Sequence, residues 1–198
     1  MERKNNVACI RRNLASLFVI VSLCLFIFAG CTVSPSNEEV VIGIAWRADT
    51  DSEFYTNIVA AVEEAGGKPV LLEQVKADYL TYDSNNTLVD CTDEVGGLTL
   101  ESANAIKENL WESTNIEEVM QGIDAVIFTG GEDISSSLYS DPEPWHGIEA
   151  EIDFNATRDA SDYILMSYCI EKDIAAVGFC RGMQMLAVVS GAEMIQDI

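Results

Sequence analysis

The chain has 198 residues, 48% of them hydrophobic, and a formal net charge of −22. Residues 31–198 carry 7 basic and 32 acidic side chains, a surface that repels phosphate backbones and excludes nucleic acid as a partner. With a single histidine, His146, the sequence offers no cluster of metal ligands, and neither a metal nor an organic cofactor is expected.

Residues 1–30 read as a targeting segment. Arg3, Lys4, Arg11 and Arg12 precede a 15-residue apolar stretch, 14–28, which is short for a membrane span and suits the core of a signal peptide. It ends in Phe28-Ala29-Gly30-Cys31, which resembles a bacterial lipobox. There the cysteine becomes the first mature residue and carries lipid, which would place the protein on the extracytoplasmic face of a bacterial membrane. A plain signal peptide and an uncleaved anchor are the alternatives. Residues 31–39, polar and containing Pro35, serve as a tether. Residues 40–198 are enough for one domain with its own core.

The domain opens with a strand over 40–46, ending before Arg47. A helix over 53–65 follows, with Phe54, Ile58, Ala61, Val62 and Ala65 at helical spacing and Gly66-Gly67 as its stop. Val70-Leu71-Leu72 is the second strand. Residues 76–99 are polar and turn-rich, with a break at Gly96-Gly97. Residues 100–123 predict one or two helices, and 124–129 an apolar strand that runs into Gly130-Gly131. A long loop, 132–157, contains Pro142, Pro144, Trp145 and His146. It is expected to gate a site rather than belong to the core. A helix over 158–172 carries Ile164, Leu165, Tyr168 and Cys169 on one face. No internal repeat is apparent. Alternation of near-continuous apolar strands with helices predicts an α/β fold, a three-layer α/β/α sandwich with a mainly parallel sheet. In such sheets the site lies beyond the carboxyl ends of the strands, where Arg47, Gly130, Gly131 and Cys180 all fall.

The most informative stretch is Gly178-Phe179-Cys180-Arg181-Gly182-Met183-Gln184. Residues 175–179 form a short apolar run with the length of a buried strand. Met183, Met185, Leu186, Val188 and Val189 then recur at helical spacing up to Gly191. Cys180 therefore sits at a strand-to-helix turn with a glycine two residues to either side, the arrangement of a nucleophile elbow with sulfur in place of the serine oxygen. The helix N-terminus favours thiolate over thiol, and the backbone N–H of Arg181 would face an oxyanion forming beside the sulfur. Gln184, one turn on, would reach a substrate bound over the sulfur. A buried structural cysteine and an ordinary Gly-Gly turn at 130–131 are the plainer readings of the same residues.

Those segments, with Gly43-Ile44-Ala45-Trp46-Arg47, residues 65–72, Phe128-Thr129-Gly130-Gly131-Glu132-Asp133-Ile134, Arg158-Asp159 and Gln196-Asp197-Ile198, resemble the class I glutamine amidotransferase-like superfamily. Within it they resemble the γ-glutamyl-γ-aminobutyrate hydrolase family. The resemblance covers residues 40–198 in the family's order and implies a flavodoxin-like sheet. It further implies Cys180 as the nucleophile that attacks a γ-glutamyl amide carbonyl to give a thioester. Backbone N–H groups of Gly130 or Gly131 and of Arg181 would be the oxyanion donors, and Gln184 would contact the glutamyl moiety. Arg47 would hold a carboxylate or make an ordinary salt bridge, and Glu132 and Asp133 would fix the loop.

The family completes its triad with a histidine and an acidic residue beyond the Gln-Asp-Ile segment. His146 matches no catalytic position, and Ala192 stands where the family has a second glycine. The sequence is therefore expected to be a fragment or truncation, inactive alone, of a hydrolase of γ-glutamyl amides. A membrane-anchored pseudoenzyme or binding protein that retains the pocket is the alternative. The implied partners are a small γ-glutamyl substrate, a membrane reached through the Cys31 lipid, and a second copy in a homodimer.

Overall fold

A computed structural model describes residues 39–49 and 53–196, all within the second of the two units into which the chain divides, Glu39–Ile198. The expected signal segment, Cys31, Asp197 and the side chain of Phe54 lie outside the described residues. Four short strands, β1 (Val41–Ile44), β2 (Lys68–Leu71), β3 (Ala125–Phe128) and β4 (Ala175–Gly178), form one sheet in the order β2-β1-β3-β4. All three pairings are parallel, with Gly43 opposite Val70 and Val126, and Ile127 opposite Val177. The connections run through α1 (Glu53–Glu64), α2 (Leu100–Asn109), α3 (Ile116–Val119) and α4 (Ala156–Glu171), and α5 (Arg181–Val189) follows β4. This is the parallel α/β arrangement expected from the alternation of apolar strands and helices, with the flavodoxin-like sheet that the resemblance implies.

The core lies on the face where α4 and α5 pack, around Val126, Phe128, Ile164, Leu165, Met185 and Val188, all buried. Helix α4 is buried along almost its whole length. It begins at Ala156 rather than at 158, because Asn155 caps it by accepting from the Arg158 N–H at 3.1 Å. The other face is only partly covered. Helix α1 packs on β2, and beside it opens an apolar groove of about 500 Å³ lined by residues that include Ile58, Val62, Ile127, Val177 and Phe179.

Two expectations need correction. Residues 81–100 do contain a repeat, of ten residues. Asp83 Oδ1 accepts from the N–H groups of Asn85 and Thr87 at 2.8 and 2.9 Å, and Asp93 Oδ1 accepts from Val95 and Gly97 at 3.1 and 2.9 Å. Asn86 and Gly96 both take positive φ, and Leu88 and Leu98 both enter the core. The match was hidden because only the aspartate and leucine are identical; the positive-φ site alternates between asparagine and glycine, the two residues that tolerate it best. The second correction concerns loop 132–157, whose first half belongs to the core. Ile134, Leu138 and Tyr139 are buried there, while residues 140–144 are exposed.

Candidate active site

The strand β4 delivers Cys180 to the carboxyl edge of the sheet, and α5 begins at the next residue. Cys180 is exposed and adopts φ 49 and ψ −110, a conformation that costs a non-glycine residue of order 1–3 kcal/mol. The two flanking glycines explain how the turn is held. A Cβ on Gly182 would lie 2.6 Å from the Phe128 carbonyl oxygen, and one on Gly178 would overlap the Gly182 backbone. Strand and helix therefore touch backbone to backbone, as the spacing required. The N–H groups of Met183 and Gln184 bond to the Cys180 carbonyl at 3.0 and 3.2 Å. The Arg181 N–H, at the first helical position, is among the four a helix leaves without an internal partner.

Opposite this turn stands the loop after β3. The N–H of Phe179 bonds to the Phe128 carbonyl at 2.9 Å, which sets the two strand ends side by side. Gly131 has φ +145, and the place its Cβ would occupy is filled by the Arg158 guanidinium. The Gly130 carbonyl accepts from Arg47 Nη1 at 2.6 Å and from Arg158 Nη2 at 3.0 Å. Arg158 Nη2 also donates to the Thr129 hydroxyl at 2.9 Å, and its Nη1 pairs with Glu132 Oε2 at 2.5 Å.

Beneath both segments runs a buried ionic network between the first turns of α4 and Arg181 at the start of α5. Arg181 turns its side chain inward and is wholly buried, with Nη2 2.7 Å from Asp159 Oδ1 and 3.4 Å from Asp162 Oδ2. Asp159 Oδ2 accepts from the Ser135 N–H at 2.9 Å and from the Ser135 hydroxyl. The nucleophile turn and the Gly-Gly loop are thus tied to the same four residues, Arg158, Asp159, Asp162 and Arg181. Burial would raise the Glu132 carboxyl, but its own backbone N–H and the Arg158 charge outweigh that and hold it at about 2. Burial dominates at Asp162 and raises its carboxyl against the pull of Arg181 and Arg158. Burial would lower Arg181, yet Asp159 and Asp162 keep it above the ordinary guanidinium value.

The sequence had singled out Cys180, Gly130, Gly131, Arg181, Gln184 and Arg47. Cys180, Arg181 and half-buried Gln184 share one helix start, and Arg47 meets the Gly-Gly loop from β1. The remaining donors of Arg47, Nε and Nη2, go to Asp49 at 2.7 and 3.1 Å. Glu132 fixes its loop, as expected, through Arg158 and Asn155. His146 is exposed, with its backbone N–H held by the Gln196 side chain at 3.1 Å. Sequence reading gave no role to Asp162, Ser135 or Thr129. The available signal was Thr157-Arg158-Asp159 followed by Ser161-Asp162 at the head of an otherwise apolar helix, since charged residues enter a core only when paired.

A parallel α/β sheet with an exposed, strained cysteine at a helix start, beside an arginine-held glycine pair, has the form of a nucleophile-elbow protein. Residues 106–198 match the sequence model of the Peptidase C26 family. A glutamine amidotransferase-like protein of Rickettsia prowazekii is 28% identical over 62% of this chain and 40% of its own length. Protein NtpR of Enterococcus hirae is 37% identical over 38% of this chain and 30% of its own length. The glutamine amidotransferase-like protein YvdE of Lactococcus lactis is 30% identical over 44% and 35%. The chain spans less than half the length of each of these relatives. Fold and matches together support the class I glutamine amidotransferase-like superfamily.

Proposed function

We propose that this chain carries the nucleophile half of a hydrolase that cleaves γ-glutamyl amides. The observation that carries the proposal is the exposed Cys180 at the start of α5, beside a Gly130–Gly131 loop whose Gly130 carbonyl is held by two arginines. The Cys180 thiolate adds to the amide carbonyl carbon, and the oxyanion is met by backbone N–H groups of Arg181 and Gly131. The C–N bond then breaks, the amine leaves with a proton, and water cleaves the thioester to release glutamate. Gln184, in the first turn of α5, would contact the glutamyl moiety. Arg47, whose Nε and Nη2 hold the carboxylate of Asp49, would hold a substrate carboxylate by exchanging it for Asp49.

The leaving amine needs a proton, and a histidine ordinarily supplies it. His146 sits in an exposed loop, so in this reading the histidine comes from polypeptide beyond Ile198. The bare groove along β3 and β4 and the greater length of the relatives support that reading. The test compares residues 31–198 with a form extended by the downstream coding sequence, on γ-glutamyl-p-nitroanilide. The short form should be inactive and the long form active in a Cys180-dependent manner. Binding without turnover in both would favour a pseudoenzyme, and short-form turnover lost in His146→Ala would move the base to His146.

The protein is further proposed to be anchored to the extracytoplasmic face of a bacterial membrane through lipid on Cys31. The lipobox-like Phe28-Ala29-Gly30-Cys31 supports this. Cys31→Ser should accumulate a larger, unprocessed precursor. Identical processing of the two forms would indicate an ordinary signal peptide.

A further inference from the structure

We infer that Arg158 and Arg47 are positioning residues that lock the Gly130–Gly131 peptide plane so that the Gly131 N–H faces the Cys180 side as an oxyanion donor. The inference rests on the nucleophile reading above and adds the device that makes the donor competent.

Neither residue of a glycine pair has a Cβ, so nothing in the pair itself prevents its peptide plane from turning over. A plane that samples both orientations presents its N–H to the substrate for only part of the time. A trans peptide points its C=O and the following N–H in opposite directions. Holding the Gly130 carbonyl therefore fixes the Gly131 N–H. Two guanidinium groups hold that carbonyl, Arg47 Nη1 at 2.6 Å and Arg158 Nη2 at 3.0 Å. Turning the plane over would remove the acceptor from two cations and aim an N–H at them instead.

The clamp is itself fixed. Arg158 is buried and bridges Glu132 Oε2 at 2.5 Å, the Thr129 hydroxyl at 2.9 Å and Asp162 Oδ2 at 3.3 Å, so its fork cannot swing away. Arg47 approaches from the carboxyl end of the neighbouring strand β1, and Asp49 holds its other two donors. A lysine at 158 would keep the charge but could not serve the loop carbonyls and Glu132 together, because it lacks the planar fork. The Arg158 guanidinium also occupies the place of a Gly131 Cβ, which ties the glycine and the arginine to each other.

The test needs a reaction of Cys180 that makes an oxyanion and another that does not. p-Nitrophenyl acetate is attacked at its carbonyl through a tetrahedral oxyanion and releases p-nitrophenolate, leaving an acetyl thioester. Iodoacetamide alkylates the Cys180 thiolate by direct displacement of iodide, with no oxyanion. The leaving group of the first needs no proton donor, and the acetyl group has no carboxylate for Arg47 to bind. Both rates rise with thiolate fraction, so their ratio at Cys180 cancels any change in thiol ionisation. The ratio is followed by mass spectrometry of the Cys180 peptide in residues 31–198. Arg158→Lys should lower it by about 10- to 100-fold, since losing one oxyanion donor costs about 10² to 10³ in rate. Arg47→Met should lower it several-fold, on the order of 3 to 10, and Arg47→Lys should recover part of that loss by keeping one N–H on the Gly130 carbonyl. Alkylation should stay within about twofold of wild type.

Should Arg158→Lys fail to fold, the Arg47 pair decides the matter, because Arg47 lies at the rim. Wild-type ratios in the folded variants would overturn the clamp while leaving the nucleophile reading intact. A wild-type Cys180 with the ratio of free N-acetylcysteine would overturn the oxyanion reading and the clamp with it.

Discussion

Cys180 is the exposed thiol of the described domain, whereas Cys91 and Cys169 are buried and unbridged. Burial pushes the Cys169 thiol up to about 12, which leaves it almost wholly protonated at neutral pH. Limiting iodoacetamide should therefore label Cys180 first, and mass-spectrometric mapping should find Cys91 and Cys169 protected until the protein unfolds. Prior labelling of either buried cysteine would count against the elbow. The glycine at 182 is equally checkable. Its Cβ would meet the Phe128 carbonyl oxygen at 2.6 Å, a backbone atom with no room to retreat. Gly182→Ala should destabilise the fold by about 1–3 kcal/mol, the usual cost of overpacking a close contact, as read from urea unfolding. This part of the site was legible in the sequence because it is local. Glycines two residues either side of a cysteine, at the junction of two periodicities, specify the turn. The ionic network was not legible, because Glu132 and Arg158 or Arg181 and Asp159 meet only through tertiary structure.

At the scale of elements, α4 departs most from the amphipathic helix its spacing suggests. Ile164, Leu165, Tyr168 and Cys169 are buried as that spacing requires, but so is nearly every other side of the helix. Its polar head is buried too, since Arg158 pairs with Asp162 and with Glu132 of the loop above, and Asp159 pairs with Arg181. Glu132 joins that loop to α4, and its titration offers a direct measure of the tie. An unfolded Glu132 titrates near its ordinary 4.5 and the folded one at about 2. The ionised form therefore contributes stability fully above about pH 4.5, and the contribution is lost as pH falls through 2. The difference corresponds to about 3 kcal/mol at neutral pH. Wild type should be more stable than Glu132→Gln at pH 6, and the gap should narrow between pH 4.5 and 2 in urea titrations. A gap independent of pH would show that the pairing holds no stability. The two Asp83 and Asp93 turns teach a related lesson. Each is specified by a side chain bonding to nearby backbone, so residues 76–99 resemble unstructured polar chain although they bring Leu80, Leu88 and Leu98 into the core.

One face of the sheet is covered only in part by the described helices. Strand order ends at β4, so the outer backbone edge of Ala175–Gly178 carries no strand partner among the described residues. Val177 and Phe179 are 53% and 50% exposed, although they belong to a strand that composition assigns to a sheet interior. The sequence predicted a buried strand here because Ala-Ala-Val-Gly-Phe is apolar throughout; periodicity reports what a strand is suited to, not whether its neighbour is present. An apolar sheet face next to an open edge favours association with another chain, and the net −25 on residues 31–198 opposes it. Salt screens that repulsion, with a Debye length of about 10 Å at 0.1 M and 3 Å at 1 M, while apolar contact is not weakened. Residues 31–198 should therefore bind a hydrophobic dye and sediment as a larger species at 0.5 M NaCl than at 0.02 M. Val177→Lys, which places a charge on the bare face without touching the Cys180 turn, should reduce both effects. A chain that stays monomeric and dye-silent at both salt concentrations would mean that the groove along β3 and β4 is closed in solution. In that case the proposal that further polypeptide packs there would lose its structural support.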